Sequence, residues 1–170
     1  MGITKLGRYD WVGVLGSGAM GFVYKGFDPN LKRRVAIKTI KVDSLSKARA
    51  EDYELRFRTE SHSAARLQHP NIVSVYDSDR RDGVAFLAME YVDGQDLKQH
   101  LDAGTVYTLK QTRAMAEALL ALLEYARGQG IVHRDVKPAN LIITKHGHIK
   151  LTDFGVARIQ NSGEATRTQG

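Results

Sequence analysis

The stretch His133-Arg134-Asp135-Val136-Lys137-Pro138-Ala139-Asn140, followed thirteen positions after that Asn by Asp153-Phe154-Gly155, decides how this chain reads. It sets two carboxylates, an amide and a lysine close together in sequence. Two short apolar runs lie between, Leu141 to Thr144 and His148 to Leu151, on either side of the tight turn Lys145-His146-Gly147. That pattern predicts a small hairpin separating two groups of polar, chemically capable residues. His146-x-His148 brackets the turn without a carboxylate or third histidine at ligand spacing, so neither it nor His133 is read as a metal site.

Upstream, Gly16-Ser17-Gly18-Ala19-Met20-Gly21-Phe22-Val23 fits G-x-G-x-x-G-x-V. Glycines let backbone approach phosphates and leave amide N–H groups free to bind them. A dinucleotide-binding loop has the same glycine spacing, but it opens a helix. Here the loop runs into β-like Phe22 to Phe27, then the turn Asp28-Pro29-Asn30, then a strand from Arg34 to Ile40. In that strand Val35 and Ile37 share one face, while Ala36 and Lys38 share the other. A small residue beside a lysine leaves room for a flat base and supplies charge for its phosphates.

Residues 51–68 have helical period, and His69-Pro70 ends it. Tyr53, Phe57, Ala64 and Leu67 form its apolar stripe, and Glu60 lies on the same stripe. A carboxylate there is costly without a partner, and Lys38 is the candidate. Val73 to Tyr76 and Val84 to Met89 read as two more strands joined by the polar turn 79–83. Beyond Tyr91 the pattern changes to helices, a short one from Asp96 to Leu101 and a long one from Thr108 to Ala126 that closes near Gly128. The final stretch, 158–170, is polar and without period.

Length and composition fit this layout. The 170 residues suffice for one ordinary domain or two small lobes. The 42% hydrophobic and 26% charged content exclude a disordered chain. The absence of cysteine excludes disulfides and thiolate metal sites. The net charge of +6 comes from scattered basic residues, several beside the glycine motif, which argues for polyphosphate binding and surface solvation, not nucleic acid. No signal-peptide core and no bilayer-length apolar run is present, so a cytoplasmic location is expected, with membrane anchoring left to a longer parent.

Together these motifs resemble a protein Ser/Thr kinase of the bacterial eukaryotic-like type, from about Tyr9 to Gly170. The resemblance implies an α+β, two-lobed fold. Residues 1–92 would form a lobe with a five-stranded antiparallel sheet and one helix; residues 93–170 would begin a mainly helical lobe. It implies ATP and Mg²⁺, with Mn²⁺ as a substitute, and protein Ser/Thr substrates. Asp135 corresponds to the base that receives the substrate hydroxyl proton, and Lys137 to the Ser/Thr-kinase choice two positions on. Asn140 and Asp153 correspond to the metal ligands, and the Lys38–Glu60 pair to the one that positions the lysine. Gly16, Ser17, Gly18 and Gly21 would cover the phosphates. Leu15, Val23, Ala36 and Ile142 would sandwich the base. Met89 would be the gatekeeper, with the Glu90 carbonyl and Val92 amide on the adenine edge and Asp96 at the ribose. His133 would pack under Phe154. Arg134 would pair with a phosphate on Thr166 or Thr168, Ser162 being a lesser acceptor.

The sequence stops before the A-P-E segment and the later helices of such a domain. Met115, Leu119, Leu120, Leu122 and Leu123 make the long helix apolar on more than one face, so exposed leucines and self-association are expected. Two rival readings follow: an ATP-binding regulatory module that phosphorylates no protein, and a small-molecule kinase of related fold.

Overall fold

The computed structural model describes residues 5–18, 21–40, 57, 61–81 and 83–154. The chain divides into two compact units, Met1–Ala65 with Val75–Tyr91, and Arg66–Ser74 with Val92–Gly170.

The first unit is built on an antiparallel sheet of six strands: β1 (Lys5–Leu6), β2 (Tyr9–Gly18), β3 (Gly21–Asp28), β4 (Arg33–Ile40), β5 (Val75–Arg81) and β6 (Val84–Glu90), in the order β1-β2-β3-β4-β6-β5. Five were expected. The sixth, β1, is two residues long, too short for alternation to show in sequence, and pairs Lys5 with Asp10 and Leu6 with Tyr9. Gly7 turns the chain between them with φ +58°, a conformation that costs glycine little. Leu6, Tyr9, Val35, Ile37, Phe86 and Ala88 form the core against one face of the sheet. Burial pushes the Tyr9 hydroxyl up to about 12, aided by Asp77, whose Oδ2 accepts its proton at 3.1 Å.

The polar residues 79–81, read above as a turn, lie in β5, while Val73 lies outside any strand. β5 is the edge of the sheet, where charged side chains are tolerated and discourage pairing with other chains. The turn at the other end of β3 is closed by Asp28, whose Oδ1 accepts from the Asn30 and Leu31 amides at 3.0 and 3.2 Å. Phe57 and residues 61–65 are helical, as the periodicity predicts, and Phe57, Ala64 and Leu67 are buried. Tyr53 and Glu60 lie outside the described residues.

The second unit holds a three-stranded sheet, β7 (Gly94–Asp96), β8 (Leu141–Thr144) and β9 (Ile149–Leu151), with α1 (Leu97–Asp102), α2 (Leu109–Gly128) and a 3-10 turn at Pro138–Asn140. Asp96 caps α1 by accepting from the Gln99 amide. Thr108 and Gln111 form a capping box at the start of α2. β7 left no sequence signal, because glycine and two polar residues lack strand propensity. Its Gly94 is required by packing, since a Cβ there would overlap the Ile143 carbonyl. Residues 66–74 join this unit through the Val73 amide to the Leu151 carbonyl (2.9 Å) and the Leu151 amide to the Asn71 carbonyl (2.8 Å). The Gln68 amide donates to the Tyr125 hydroxyl of α2 at 3.0 Å.

Candidate active site

In the first unit, β2 and β3 carry the glycine motif as a hairpin, with Gly16 opposite Val23, Ser17 opposite Phe22, and Gly18 opposite Gly21. No helix follows, which excludes the dinucleotide-binding alternative. Ala19 and Met20 lie outside the described residues. Cross-strand partners share a face of a sheet. Val23 lies opposite Lys38, and Ala36 lies opposite Met89, so these four residues line one face. Ala36 and Met89 are buried, whereas Leu15 is exposed. Glu90 pairs with Val35 and so directs its side chain to the opposite face. That leaves its backbone, not its carboxylate, for the Ala36 side.

In the second unit, the loop before β8 gathers Asp135, Lys137 and Asn140. Lys137 Nζ lies 2.8 Å from Asp135 Oδ2. Asn140 Nδ2 donates to the Asp135 carbonyl at 2.8 Å and to Oδ2 at 3.3 Å. The hydrogen bond from Lys137 holds the Asp135 carboxyl below the usual carboxylate range; burial opposes it, and the Lys137 charge, the Asn140 bond and His133 reinforce it. Asp135 is thus an ionised acceptor at neutral pH.

His133 fixes this loop from below. Its Nδ1 accepts from the Asp135 amide at 3.2 Å, so the ring proton sits on Nε2 and is donated to the Thr152 carbonyl at 2.7 Å. The ring is buried and meets Phe154 edge-on at 4.6 Å. The Thr152 amide in turn donates to the Asn140 carbonyl at 2.9 Å. Thr152 therefore ties Asp153 to both Asn140 and His133 through its own amide and carbonyl. That role has no residue-type signal, and sequence reasoning missed it. Arg134 and Asp153 both adopt positive φ, +68° and +66°. Such conformations are uncommon outside glycine and gather at functional sites.

Of the remaining expected residues, Ile142 faces Asp96 across β7 and β8. Val92 is half-buried beside that sheet's first strand. Asp96 already commits Oδ1 to capping α1. Glu60, Gly155, Ser162, Thr166 and Thr168 lie outside the described residues. Among the described residues, no cluster of three His, Cys, Asp or Glu is arranged to hold a metal ion. Asn140 and Asp153 offer a different donor set, one amide and one carboxylate. Hard oxygen donors that few in number suit Mg²⁺, which takes its other ligands from phosphates and water.

A glycine hairpin, a lysine strand and an Asp-Lys-Asn loop tied to a second aspartate define a phosphoryl-transfer fold of the protein kinase type. The chain belongs to the protein kinase domain family, whose sequence model matches residues 9–170. It is 44% identical over 167 residues to a probable serine/threonine-protein kinase of Streptomyces coelicolor, and 40% identical over 162 residues to the serine/threonine-protein kinase PrkC of Bacillus subtilis. These matches cover 96% and 95% of the chain but 24% of each relative, so the chain spans about a quarter of their length. Among solved structures, the PknI kinase domain of Mycobacterium tuberculosis is similar with a TM-score of 0.76 at 35% identity, covering 89% of this chain and 61% of that one. The apo form of PpkA-294 matches with a TM-score of 0.83 over 96% of this chain and 64% of that one; at 23% identity the likeness is one of fold.

Proposed function

We propose that the chain carries the nucleotide site and catalytic loop of an ATP-dependent Ser/Thr protein kinase, which transfers the γ-phosphoryl group to a protein Ser or Thr hydroxyl. The observation that carries this reading is Asp135, ionised and held by Lys137 and Asn140 in one loop. In the transfer, Asp135 accepts the proton of the attacking hydroxyl as its oxygen bonds to the γ-phosphorus and the bond to ADP breaks. Lys137 would neutralise charge beside that oxygen, a reading supported by its 2.8 Å approach to Asp135. Lys38, supported by Glu60, would hold the α- and β-phosphates under the hairpin of Gly16, Ser17, Gly18 and Gly21. Leu15, Val23, Ala36 and Ile142 would enclose the base, with Met89 behind it, the Glu90 carbonyl and Val92 amide on its edge, and Asp96 at the ribose. Asn140 and Asp153 would hold Mg²⁺, or Mn²⁺ in its place; the ion neutralises phosphate charge.

Autophosphorylation at Thr166 or Thr168, read by Arg134, belongs to the same proposal, as does self-association through exposed leucines such as Leu109 and Leu120. No helix among the described residues is long and apolar enough to cross a membrane.

The test is transfer of labelled γ-phosphate from Mg-ATP to a protein substrate by wild type and Asp135→Asn. Loss of a general base costs about 10²–10⁴-fold in rate. Asp135→Asn should lose transfer on that scale and still bind Mg-ATP. Mg-ATP binding with no transfer by wild type would favour the regulatory-module reading.

A further inference from the structure

The structure assigns a positioning role to Thr39, a residue that no part of the proposed transfer uses. Thr39 follows Lys38 on β4 and points to the opposite face, where it is buried. Its backbone is committed to β6, opposite Phe86. Its hydroxyl reaches the other way, to β3. Oγ1 accepts from the Phe22 amide at 3.2 Å and donates to the Phe22 carbonyl at 3.2 Å.

Phe22 directly follows Gly21, the last glycine of the hairpin. The backbone pairing of β3 with β4 ends one residue short of it, at Val23 opposite Lys38. The Thr39 hydroxyl carries the contact between the two strands one residue past that last backbone pair. The hydroxyl takes the place of a neighbouring strand by bonding both main-chain polar groups of one residue, the N–H and the C=O of Phe22. A β-branched side chain is stiff about χ1, so the hydroxyl is held in place and not merely near. The strand that presents Lys38 on one face thus anchors the hairpin from the other, and the two phosphate-binding parts are set in a fixed spacing.

This inference rests on the kinase reading, in which the hairpin covers the phosphates. Its alternative is a hydroxyl that merely satisfies itself in a partly buried place. The two differ in what a hydroxyl deletion does to the hairpin and to nucleotide binding. Hydrogen exchange at the Phe22 amide and calorimetry with Mg-ATP, on the full chain, separate them for wild type, Thr39→Val and Thr39→Ser. Loss of bonds of this kind should raise exchange at Phe22 and weaken Mg-ATP binding by about three- to tenfold in Thr39→Val. Thr39→Ser, which keeps the hydroxyl, should recover most of both. Thr39→Ala, which cannot overpack, takes the place of Thr39→Val if that variant does not fold. Equal affinity and equal exchange in wild type and Thr39→Val would overturn the assignment. So would a loss that Thr39→Ser fails to recover. Wild type that binds no Mg-ATP would overturn the kinase reading and this inference with it, a result recognised without any change at residue 39.

Discussion

In the six-stranded sheet of the first unit, position is set by backbone pairs that repeat from Tyr9 to Glu90. In the loop 133–140 of the second unit, it is set by single side-chain contacts. Lys38 is placed by a ladder in which Val23, Leu87 and the flanking pairs all agree. Asp135 is placed by His133 on its amide, Asn140 on its carbonyl and Lys137 on its carboxylate. A ladder is redundant, because one altered side chain leaves its hydrogen bonds in place. A set of single contacts is not. The sheet therefore tolerates conservative change near its functional residues except where a side chain bonds the backbone, as Thr39 does at Phe22, and the loop tolerates little.

The sharpest way to break this contrast is to cut one contact on each side. His133→Ala removes the ring that bonds the part-buried Asp135 amide and Thr152 carbonyl, at a cost of up to about 1–3 kcal/mol for each. It also frees Asp135 to move, and a misplacement of that kind costs about 10²-fold in turnover. Ile37→Val removes one methylene from the sheet core beside Lys38 and costs about 0.5–1.5 kcal/mol, with turnover near wild type. Denaturant melts and single-turnover phosphoryl transfer on both variants check this. If Ile37→Val loses turnover as severely as His133→Ala, the sheet is no more redundant than the loop.

The same contrast explains what the sequence made legible. The hairpin, the lysine strand and the hairpin after Asn140 were readable because glycine pattern, alternation and turn residues act locally. Ends and edges were not. β1 is too short to show alternation, β5 is mostly polar because it is an edge, and β7 has the composition of a turn. The contacts of His133 and Thr152 were harder still. Asp135, Asn140 and Asp153 are recognisable because chemistry demands their side chains. Thr152 works through its carbonyl and amide, which every residue possesses, and only the folded backbone shows it. Thr39 was hidden likewise, since a β-branched residue in a strand needs no further explanation.

Helix α2 allows a second contrast within one unit. Apolar residues on several of its faces implied exposed leucines. Leu122 is fully buried, while Leu120, two positions earlier, is 67% exposed. Leu122→Ala should cost about 2–5 kcal/mol through lost contacts and a cavity. Leu120→Ala should stay within about 0.5 kcal/mol. Thermal or urea unfolding distinguishes them. Equal losses would mean that Leu120 is covered in solution, by another copy or by a partner, and sedimentation of the two variants would then separate those cases.

The smallest expected effect concerns acid. Asp135 titrates below the ordinary carboxylate range, chiefly because Lys137 donates to it. Its folded-state value is thus depressed from the roughly 3.9 of an unfolded aspartate. A group of this kind contributes stability that is fully present above the unfolded value and lost as pH falls through the folded one. Lys137→Met removes the largest lowering influence and brings the folded value closer to the unfolded one, so the acid limb of its stability curve should be shallower than that of wild type, the two curves converging as pH falls. At pH 7 the two should differ by less than about 1 kcal/mol, because the Lys137–Asp135 pair is partly exposed to solvent and screened. Arg113→Met breaks the more exposed pair between Arg113 and Glu117 on α2 and serves as the control. Urea melts between neutral pH and pH 3 would read all three proteins. An acid limb in Lys137→Met that coincides with wild type would show that Asn140 and His133 alone hold the carboxylate, and the loop would then share some of the redundancy that now distinguishes the sheet.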